Sequence, residues 1–130
     1  MATNAKIFLI IMGVLVLGLI ATALLRSDGT RVTGPGKYDT FAQCLKDKGA
    51  IFYGAFWCPH CQDQKKLFGS SAKLLPYVEC STPDAKAQTP ICIEKKVVSY
   101  PTWDFADGSR LMGEIPLAQL SEKTSCPLPE

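Results

Sequence analysis

The sequence predicts an α/β domain, in which a central mixed sheet is flanked by helices, preceded by one N-terminal transmembrane helix. Three observations predict this arrangement: a long uncharged apolar run near the N-terminus, a short apolar strand that leads directly into a helix, and a hairpin signal late in the chain. With 130 residues, 47% of them hydrophobic, the chain has room for one compact domain and one further element.

The apolar run extends from Ile7 to Leu25 and carries no charged residue. A helix rises about 1.5 Å per residue, so this run nearly spans a hydrocarbon core of about 30 Å. We therefore predict a membrane anchor over residues 1–26. A cleaved signal peptide is the alternative, because Ala21 to Ala23 resembles a small-residue cleavage site. In both cases the rest of the chain is exported, into the periplasm, a lumen or the cell surface.

Residues 27–36 contain three glycines and no apolar periodicity, which predicts a flexible tether before a folded domain at 37–130. In that domain an apolar segment at 50–57 is too short for a core helix and suits a buried strand. Asp107-Gly108 is a strong hairpin signal. We predict helices at 39–48, 59–68, 91–96 and 117–123, strands at 50–57 and 77–80, and a hairpin formed by 97–105 and 110–115.

Composition limits the compartment and the partners. The net charge is only +2, and basic and acidic residues are interspersed after residue 36, so no basic patch indicates nucleic acid. Six cysteines are dense for a domain of this size, and a reducing cytosol would keep them as thiols. An oxidising compartment is the simpler interpretation.

The strongest motif is Cys58-Pro59-His60-Cys61, which lies where the predicted strand turns into a helix. Free amides and the helix dipole at a helix start favour a thiolate on the first sulfur, so Cys58 is the predicted nucleophile and Cys61 the more protected partner. We predict that His60 stabilises the Cys58 thiolate by charge or hydrogen bonding. The alternative for His60 is a solvated loop residue.

A structural zinc site is the alternative interpretation of a CxxC motif. The other candidate ligands, Cys80 and Cys92, are separated by eleven residues, whereas zinc sites usually offer a second closely spaced pair. We therefore predict no metal.

The FWCPHC segment and the later Val98-Ser99-Tyr100-Pro101-Thr102 together resemble the two halves of a thioredoxin active site. More narrowly, Tyr38 to Cys126 is similar to the thioredoxin-like domain fused to bacterial homologues of vitamin K epoxide reductase. The resemblance implies a thioredoxin-like fold in which Pro101 is cis and lies against the CxxC. It also implies that Thr102, or the backbone of its neighbour, pairs with a substrate strand. The candidate substrate-binding residues are Trp57, Pro59, Tyr100 and Thr102.

Two departures from these families have consequences. Thioredoxins keep a buried acidic residue beneath the CxxC, whereas the strand here offers only Phe52, Tyr53 and Gly54. The fused relatives carry a helical quinone-reducing membrane domain, whereas this chain has a single apolar segment. The resemblance therefore implies that the membrane partner is a separate chain, a polytopic quinone reductase of the vitamin K epoxide reductase type.

The remaining cysteines, Cys44, Cys80, Cys92 and Cys126, admit three pairings that the sequence cannot distinguish. We favour structural disulfides between Cys80 and Cys92 and between Cys44 and Cys126. The functional alternative is that Cys80 and Cys92 relay electrons to Cys58.

The function predicted from these features is donation of the Cys58-Cys61 disulfide to cysteine-containing exported proteins, with no bound cofactor. Two alternatives stay open: a tethered reductase or isomerase, and a noncatalytic zinc-binding membrane adaptor. Among the aromatic residues, Phe52, Phe56 and Phe105 are assigned to the core, whereas Trp103 is assigned either to the core or to the active-site groove.

Overall fold

In the computed structural model, the backbone is described at residues 2–25 and 35–130, and the side chains at 6–18 and 35–130. The chain divides into two units, Met1–Thr33 and Gly34–Glu130. The predicted tether at 27–36 lies almost wholly outside the described residues.

In the described part of the first unit, the chain forms one helix, α1 (Ala2–Leu25). Its large apolar side chains between Ile7 and Leu17 are exposed. Over the described residues we find no helix that is long and apolar enough to cross a membrane.

The second unit is a mixed α/β domain built on a four-stranded sheet in the order β2-β1-β3-β4. Strand β1 pairs in parallel with β2, whereas β3 is antiparallel to both β1 and β4. The elements are α2 (Asp39–Asp47), β1 (Ile51–Gly54), α3 (Pro59–Leu67), a 3₁₀ helix (Gly69–Leu74), β2 (Tyr77–Glu79), α4 (Pro90–Glu94), β3 (Thr102–Asp104), β4 (Arg110–Met112) and α5 (Leu117–Thr124).

The two faces of the sheet are buried against different clusters, because successive side chains of a strand point to opposite faces. Phe52 of β1 belongs to the main cluster, where it stacks on Trp103 of β3 and packs with apolar residues of α2, α3 and α5. Tyr53, the next residue, belongs to a smaller cluster on the other face with Cys80, Cys92 and Val97. The central strand is therefore buried on both faces, as predicted from its composition.

A buried glutamine fixes α3 to the chain segment between β4 and α5. The amide of Gln64 donates to the Ile115 carbonyl at 3.0 Å, and its oxygen accepts the Ile115 N–H at 2.6 Å. Since Gln64 is fully buried, these two hydrogen bonds satisfy a polar group that would otherwise be costly in the core.

The structure differs from the sequence predictions in three respects. The strands are shorter than predicted, since β1 ends at Gly54 and β3 begins only at Thr102. A 3₁₀ helix at Gly69–Leu74 was not predicted. Phe56, assigned to the core, is 45% exposed because it lies in the turn after β1 and not in the strand.

Candidate redox-active site

The CxxC lies at the junction between β1 and α3. After Gly54 the chain turns, so that the Cys58 N–H donates to the Ala55 carbonyl at 3.0 Å. Cys58 is the N-terminal flanking residue of α3, with extended backbone, and Pro59 occupies the first helical position, where its missing N–H is not needed. The side chain of Gln62 donates to the Phe56 carbonyl at 2.6 Å and closes the turn. Both cysteines are thus held at the start of a helix.

Cys58 is a free thiol that is 5% exposed and lies beside the Tyr100-Pro101 loop. Its Sγ is 3.8 Å from the Tyr100 carbonyl oxygen. The Tyr100-Pro101 peptide bond is cis, as the resemblance implied. The structure therefore brings Cys58, Tyr100 and Pro101 together.

Cys61, also a free thiol, is fully buried one turn further along α3. Burial raises the pKa of the Cys61 thiol to about 12, and the neighbouring Cys58 sulfur acts in the same direction. Cys61 is consequently a protonated thiol at neutral pH, whereas Cys58, itself buried, keeps 5% of its surface exposed.

Gly54 makes the close packing of Cys61 possible. A Cβ at this position would lie 2.8 Å from Tyr77 Cε2 and 3.0 Å from Cys61 Sγ, distances too short for a methyl group. The Cys61 sulfur and the edge of the Tyr77 ring therefore both pack against β1 at the place where a side chain of residue 54 would lie. A glycine inside a strand often marks such a close approach, and this signal was present in the sequence.

Tyr77 and Glu79, both on β2, are site residues that the sequence prediction missed. The Tyr77 hydroxyl donates to Glu79 Oε2 at 2.8 Å, and Glu79 Oε1 accepts the N–H groups of Phe56 at 3.2 Å and Ser81 at 2.8 Å. Burial raises the pKa of the Tyr77 phenol, and the Glu79 carboxylate and the two thiols add to that effect. Glu79 thus connects the turn before the CxxC to the neighbouring strand.

His60 is directed toward Glu114. Its Nδ1 lies 2.6 Å from Glu114 Oε1, and both side chains are exposed. Within the described residues no hydrogen bond joins His60 to Cys58. The predicted effect of His60 on Cys58 therefore has to act through space, and Glu114 is a neighbour that the sequence did not reveal.

The candidate substrate-binding residues occupy different environments. Trp57 is 52% exposed, its indole N–H donates to Ser81 Oγ at 2.8 Å, and its ring packs edge-on against Tyr100. Trp57 and Tyr100 line a cavity of about 160 Å³ together with the loop at 85–88. Pro59 is exposed at the start of α3.

Thr102 differs from the other candidates because its side chain is buried. Its hydroxyl donates to the Ser99 carbonyl at 2.8 Å, and its strand lies between β1 and β4. The Thr102 side chain is therefore not presented to a substrate. Trp103, assigned either to the groove or to the core, is fully buried in the core.

The four other cysteines form two disulfides, Cys44–Cys126 and Cys80–Cys92, which is the favoured pairing. Both sulfur-bearing residues of the second disulfide are fully buried. A thiolate must reach a disulfide sulfur to exchange with it, so this burial does not favour the electron relay. The bond also occupies the two thiolates that a zinc site would need.

The mixed sheet with helices on both faces, the CxxC at the start of α3 and the cis proline beside it define a thioredoxin-like protein.

Two curated proteins support this class. Over 87 residues the chain is 46% identical to the thiol-disulfide oxidoreductase LTO1 of Arabidopsis thaliana, a match covering 64% of this chain and 23% of that protein. Over 80 residues it is 26% identical to the protein disulfide isomerase-like 5-1 of Oryza sativa subsp. japonica, covering 56% of this chain and 54% of that protein. No protein-family model matches the chain.

The chain spans less than a quarter of the first relative and about half of the second. Both names describe thiol-disulfide chemistry, and both similarities accompany a structure in which a CxxC pair is free while the other cysteines are bonded. These findings support the predicted enzyme class, a thiol-disulfide oxidoreductase.

Proposed function

We propose that this chain is an extracytoplasmic, membrane-tethered oxidoreductase that donates disulfides to exported proteins and is reoxidised by a membrane quinone reductase. The observation that carries the proposal is the contrast between the two cysteines of the CxxC: Cys58 keeps 5% of its surface exposed beside the cis-proline loop, whereas Cys61 is fully buried. An attacking or attacked sulfur needs access, and a resolving sulfur needs only to reach its partner.

The proposed reaction begins with the Cys58-Cys61 disulfide. A client thiolate attacks Cys58 Sγ, forms a client–Cys58 mixed disulfide and displaces Cys61 as a thiolate, which takes up a proton. A second client thiolate then attacks the client sulfur of the mixed disulfide and displaces Cys58. The client leaves with a new disulfide, and the two electrons from its thiols remain on Cys58 and Cys61.

Reoxidation follows the same exchange in the opposite direction. The Cys58 thiolate attacks a disulfide of the membrane partner, and Cys61 then attacks Cys58 Sγ to restore the Cys58-Cys61 bond. The partner is left with two thiols, whose electrons pass to its quinone. The support for a partner of the vitamin K epoxide reductase type is the resemblance of residues 38–126 to the thioredoxin-like domain fused to such enzymes.

The support for a membrane tether is the sequence, in which residues 7–25 carry no charge, together with the exposed apolar side chains of α1. An exposed apolar helix is favourable where lipid replaces water around it. The support for an exported domain is the presence of two disulfides, which persist in oxidising compartments.

A trapping experiment tests the partner. Cys61→Ala removes the resolving thiol, so a mixed disulfide between Cys58 and the partner should accumulate at the membrane. Nonreducing gels of membranes should show a new adduct, and mass spectrometry should identify a polytopic protein with its own cysteine pair. The double variant Cys58→Ala/Cys61→Ala is the control and should lack the band. Trapping of soluble clients alone, with such a partner demonstrably present, would refute the route through the membrane.

A disulfide isomerase or reductase is the second candidate, favoured by the similarity to a relative named for disulfide isomerase. A donor and an isomerase differ in the resting state of the CxxC in the cell. Acid quenching followed by alkylation should find Cys58 and Cys61 mainly disulfide-bonded for a donor. Mainly free thiols would favour the second candidate.

A further inference from the structure

Lys65 differs from the adjacent lysine in its surroundings. It lies one helical turn after Cys61 on α3, is partly buried, and its Nζ is 3.4 Å from the centroid of the Tyr77 ring. Lys66 is exposed, and its Nζ pairs with Asp63 Oδ1 at 2.7 Å. The ammonium group of Lys65 is thus held over an aromatic ring on the side of the helix that carries Cys61.

The Tyr77 ring is itself fixed beside the Cys61 sulfur. Its hydroxyl donates to Glu79 Oε2, and Glu79 is anchored by two backbone N–H groups. The ring edge and Cys61 Sγ both approach within 3.0 Å of the position that a Gly54 Cβ would occupy. Lys65, Tyr77 and Cys61 therefore form one cluster across the α3–β2 interface.

The resolving step requires a negative charge on the sulfur of Cys61, a residue that is buried away from water. Cys61 must become a thiolate to attack Cys58, but full burial disfavours its charged form. The strand beneath the pair supplies no carboxylate, because its residues there are Phe52, Tyr53 and Gly54. The backbone of Ala55 favours the thiolate by hydrogen bonding, and a nearby cation is the other means of lowering the cost of ionisation.

The charged and titratable groups around Cys61 come from two elements besides its own segment. Lys65 on α3 favours the Cys61 thiolate electrostatically, whereas the Cys58 sulfur opposes it. Tyr77 and Glu79 face the site from β2, and Lys73 borders the same surface depression as Lys65 and Tyr77. Lys65 is the cation in this group that shares a helix face with Cys61.

We propose that Lys65, held on the ring of Tyr77, is a positioning residue that stabilises the Cys61 thiolate while it resolves the Cys58 mixed disulfide. The inference rests on the proposed oxidoreductase function and adds an electrostatic role to it. In the step itself Cys61 releases its proton to solvent and attacks Cys58 Sγ. The Cys58–Cys61 bond forms, the bond between Cys58 and the partner sulfur breaks, and the partner sulfur leaves as a thiolate with the electron pair.

A two-phase exchange reaction separates this step from the first attack. The reduced full-length chain in detergent is mixed with dithiobis(nitrobenzoate). Attack by Cys58 releases the first thionitrobenzoate, and resolution by Cys61 releases the second, so stopped-flow absorbance measures the two steps independently. Lys65→Gln should slow the second phase about tenfold and move its pH profile to higher pH, as expected when one nearby charge is lost. The first phase should stay unchanged.

Three further variants distinguish electrostatics from general damage. Lys66→Gln removes the same charge one residue away and should leave both phases unchanged. Lys65→Arg keeps the cation and should restore the second phase. Tyr77→Leu should slow the second phase as much as Lys65→Gln does. The double variant Lys65→Gln/Tyr77→Leu should be no slower than either single variant, because each substitution removes the same contact between Lys65 and Tyr77.

Equal rates of the second phase in the wild type, Lys65→Gln and Lys66→Gln would overturn the inference while leaving the oxidoreductase function intact. Equal slowing by Lys65→Gln and Lys65→Arg would also overturn it, since the charge would then be irrelevant. Release of only one thionitrobenzoate by the wild type would instead show that Cys61 does not resolve the mixed disulfide. That result would refute both the proposed function and the role of Lys65.

Discussion

The three cysteine pairs of this domain differ in the length of chain that each one closes and in their position in the fold. Cys44 and Cys126 join positions 82 residues apart, and Cys80 and Cys92 close a loop with a sequence separation of 12. Cys58 and Cys61 are separated by only two residues, lie at the start of a helix and are free thiols.

A disulfide stabilises a fold mainly by restricting the unfolded chain, and the effect grows with the loop that it closes. The two bonded pairs are therefore suited to stabilisation. The CxxC closes too small a loop to contribute much, but the helix start and the cis-proline loop give Cys58 the surroundings of a reactive thiol. The length of the loop that a pair closes and its position in the fold thus predict opposite roles for cysteines of the same domain.

Removal of the Cys44–Cys126 disulfide should give the largest effect. Cys44→Ser/Cys126→Ser should lower the free energy of unfolding by about 4 to 5 kcal/mol, and Cys80→Ser/Cys92→Ser by about 3 kcal/mol, because the second loop is shorter. Denaturant unfolding of the oxidised proteins measures both values. The CxxC should keep the same reduction potential in each variant that folds. A shifted reduction potential of the CxxC in the Cys80→Ser/Cys92→Ser variant would instead support an electron relay from Cys80 and Cys92 to Cys58.

His60→Ala should have a smaller effect, and only on the CxxC. If His60 stabilises the Cys58 thiolate, its loss makes the couple less oxidising by about 30 mV, which corresponds to about 1.4 kcal/mol for two electrons. Glu114→Gln tests whether the carboxylate 2.6 Å from His60 modifies this effect. The measurement is the reduction potential of the Cys58-Cys61 couple against glutathione, compared between the wild type and the two variants. An unchanged potential in both variants would reduce His60 to a solvated residue that pairs with Glu114.

The smallest effect should be a pH dependence due to Cys61. Burial raises the pKa of this thiol to about 12 in the folded chain, whereas an unfolded thiol ionises near about 8.5. Between these values the unfolded state releases a proton that the folded state keeps, so the stability of the reduced protein falls as pH rises. We expect a loss of about 1 kcal/mol between about pH 8 and pH 9.5.

The control for this slope is Cys61→Ala, which should remove that part of the pH dependence. Tyr77, whose pKa is also raised by burial, begins to contribute only near the top of this range, and it is present in both proteins, so the difference between their slopes reports Cys61. An equal slope in the wild type and Cys61→Ala would show that the Cys61 thiol ionises as readily in the folded as in the unfolded chain.

Much of the fold was predictable because its signals are local. The apolar strand before Cys58, Pro59 at a helix start and Asp107-Gly108 in a hairpin each specify one element through its own residues. The predicted disulfide pairing also matches the structure, although the spacing alone allowed three pairings.

The parts that were missed depend on contacts between distant segments. Gln64 is an ordinary polar residue in sequence, and only the packing of α3 on Ile115 makes it a buried bridge. Glu79 and Lys65 join the site because β2 lies beside β1 and the Tyr77 ring reaches α3. Phe56 was misplaced because β1 ends at Gly54, two residues earlier, and leaves Phe56 in the exposed turn.

The most direct test of the account is a redox titration in which each cysteine pair is followed separately. The full-length protein is equilibrated in glutathione buffers of graded potential, quenched in acid, alkylated, and mapped by mass spectrometry. The account predicts one two-electron transition, in which Cys58 and Cys61 open together while Cys44–Cys126 and Cys80–Cys92 stay closed throughout. Opening of either structural disulfide together with or before the CxxC, or a CxxC that never forms a disulfide, would contradict it.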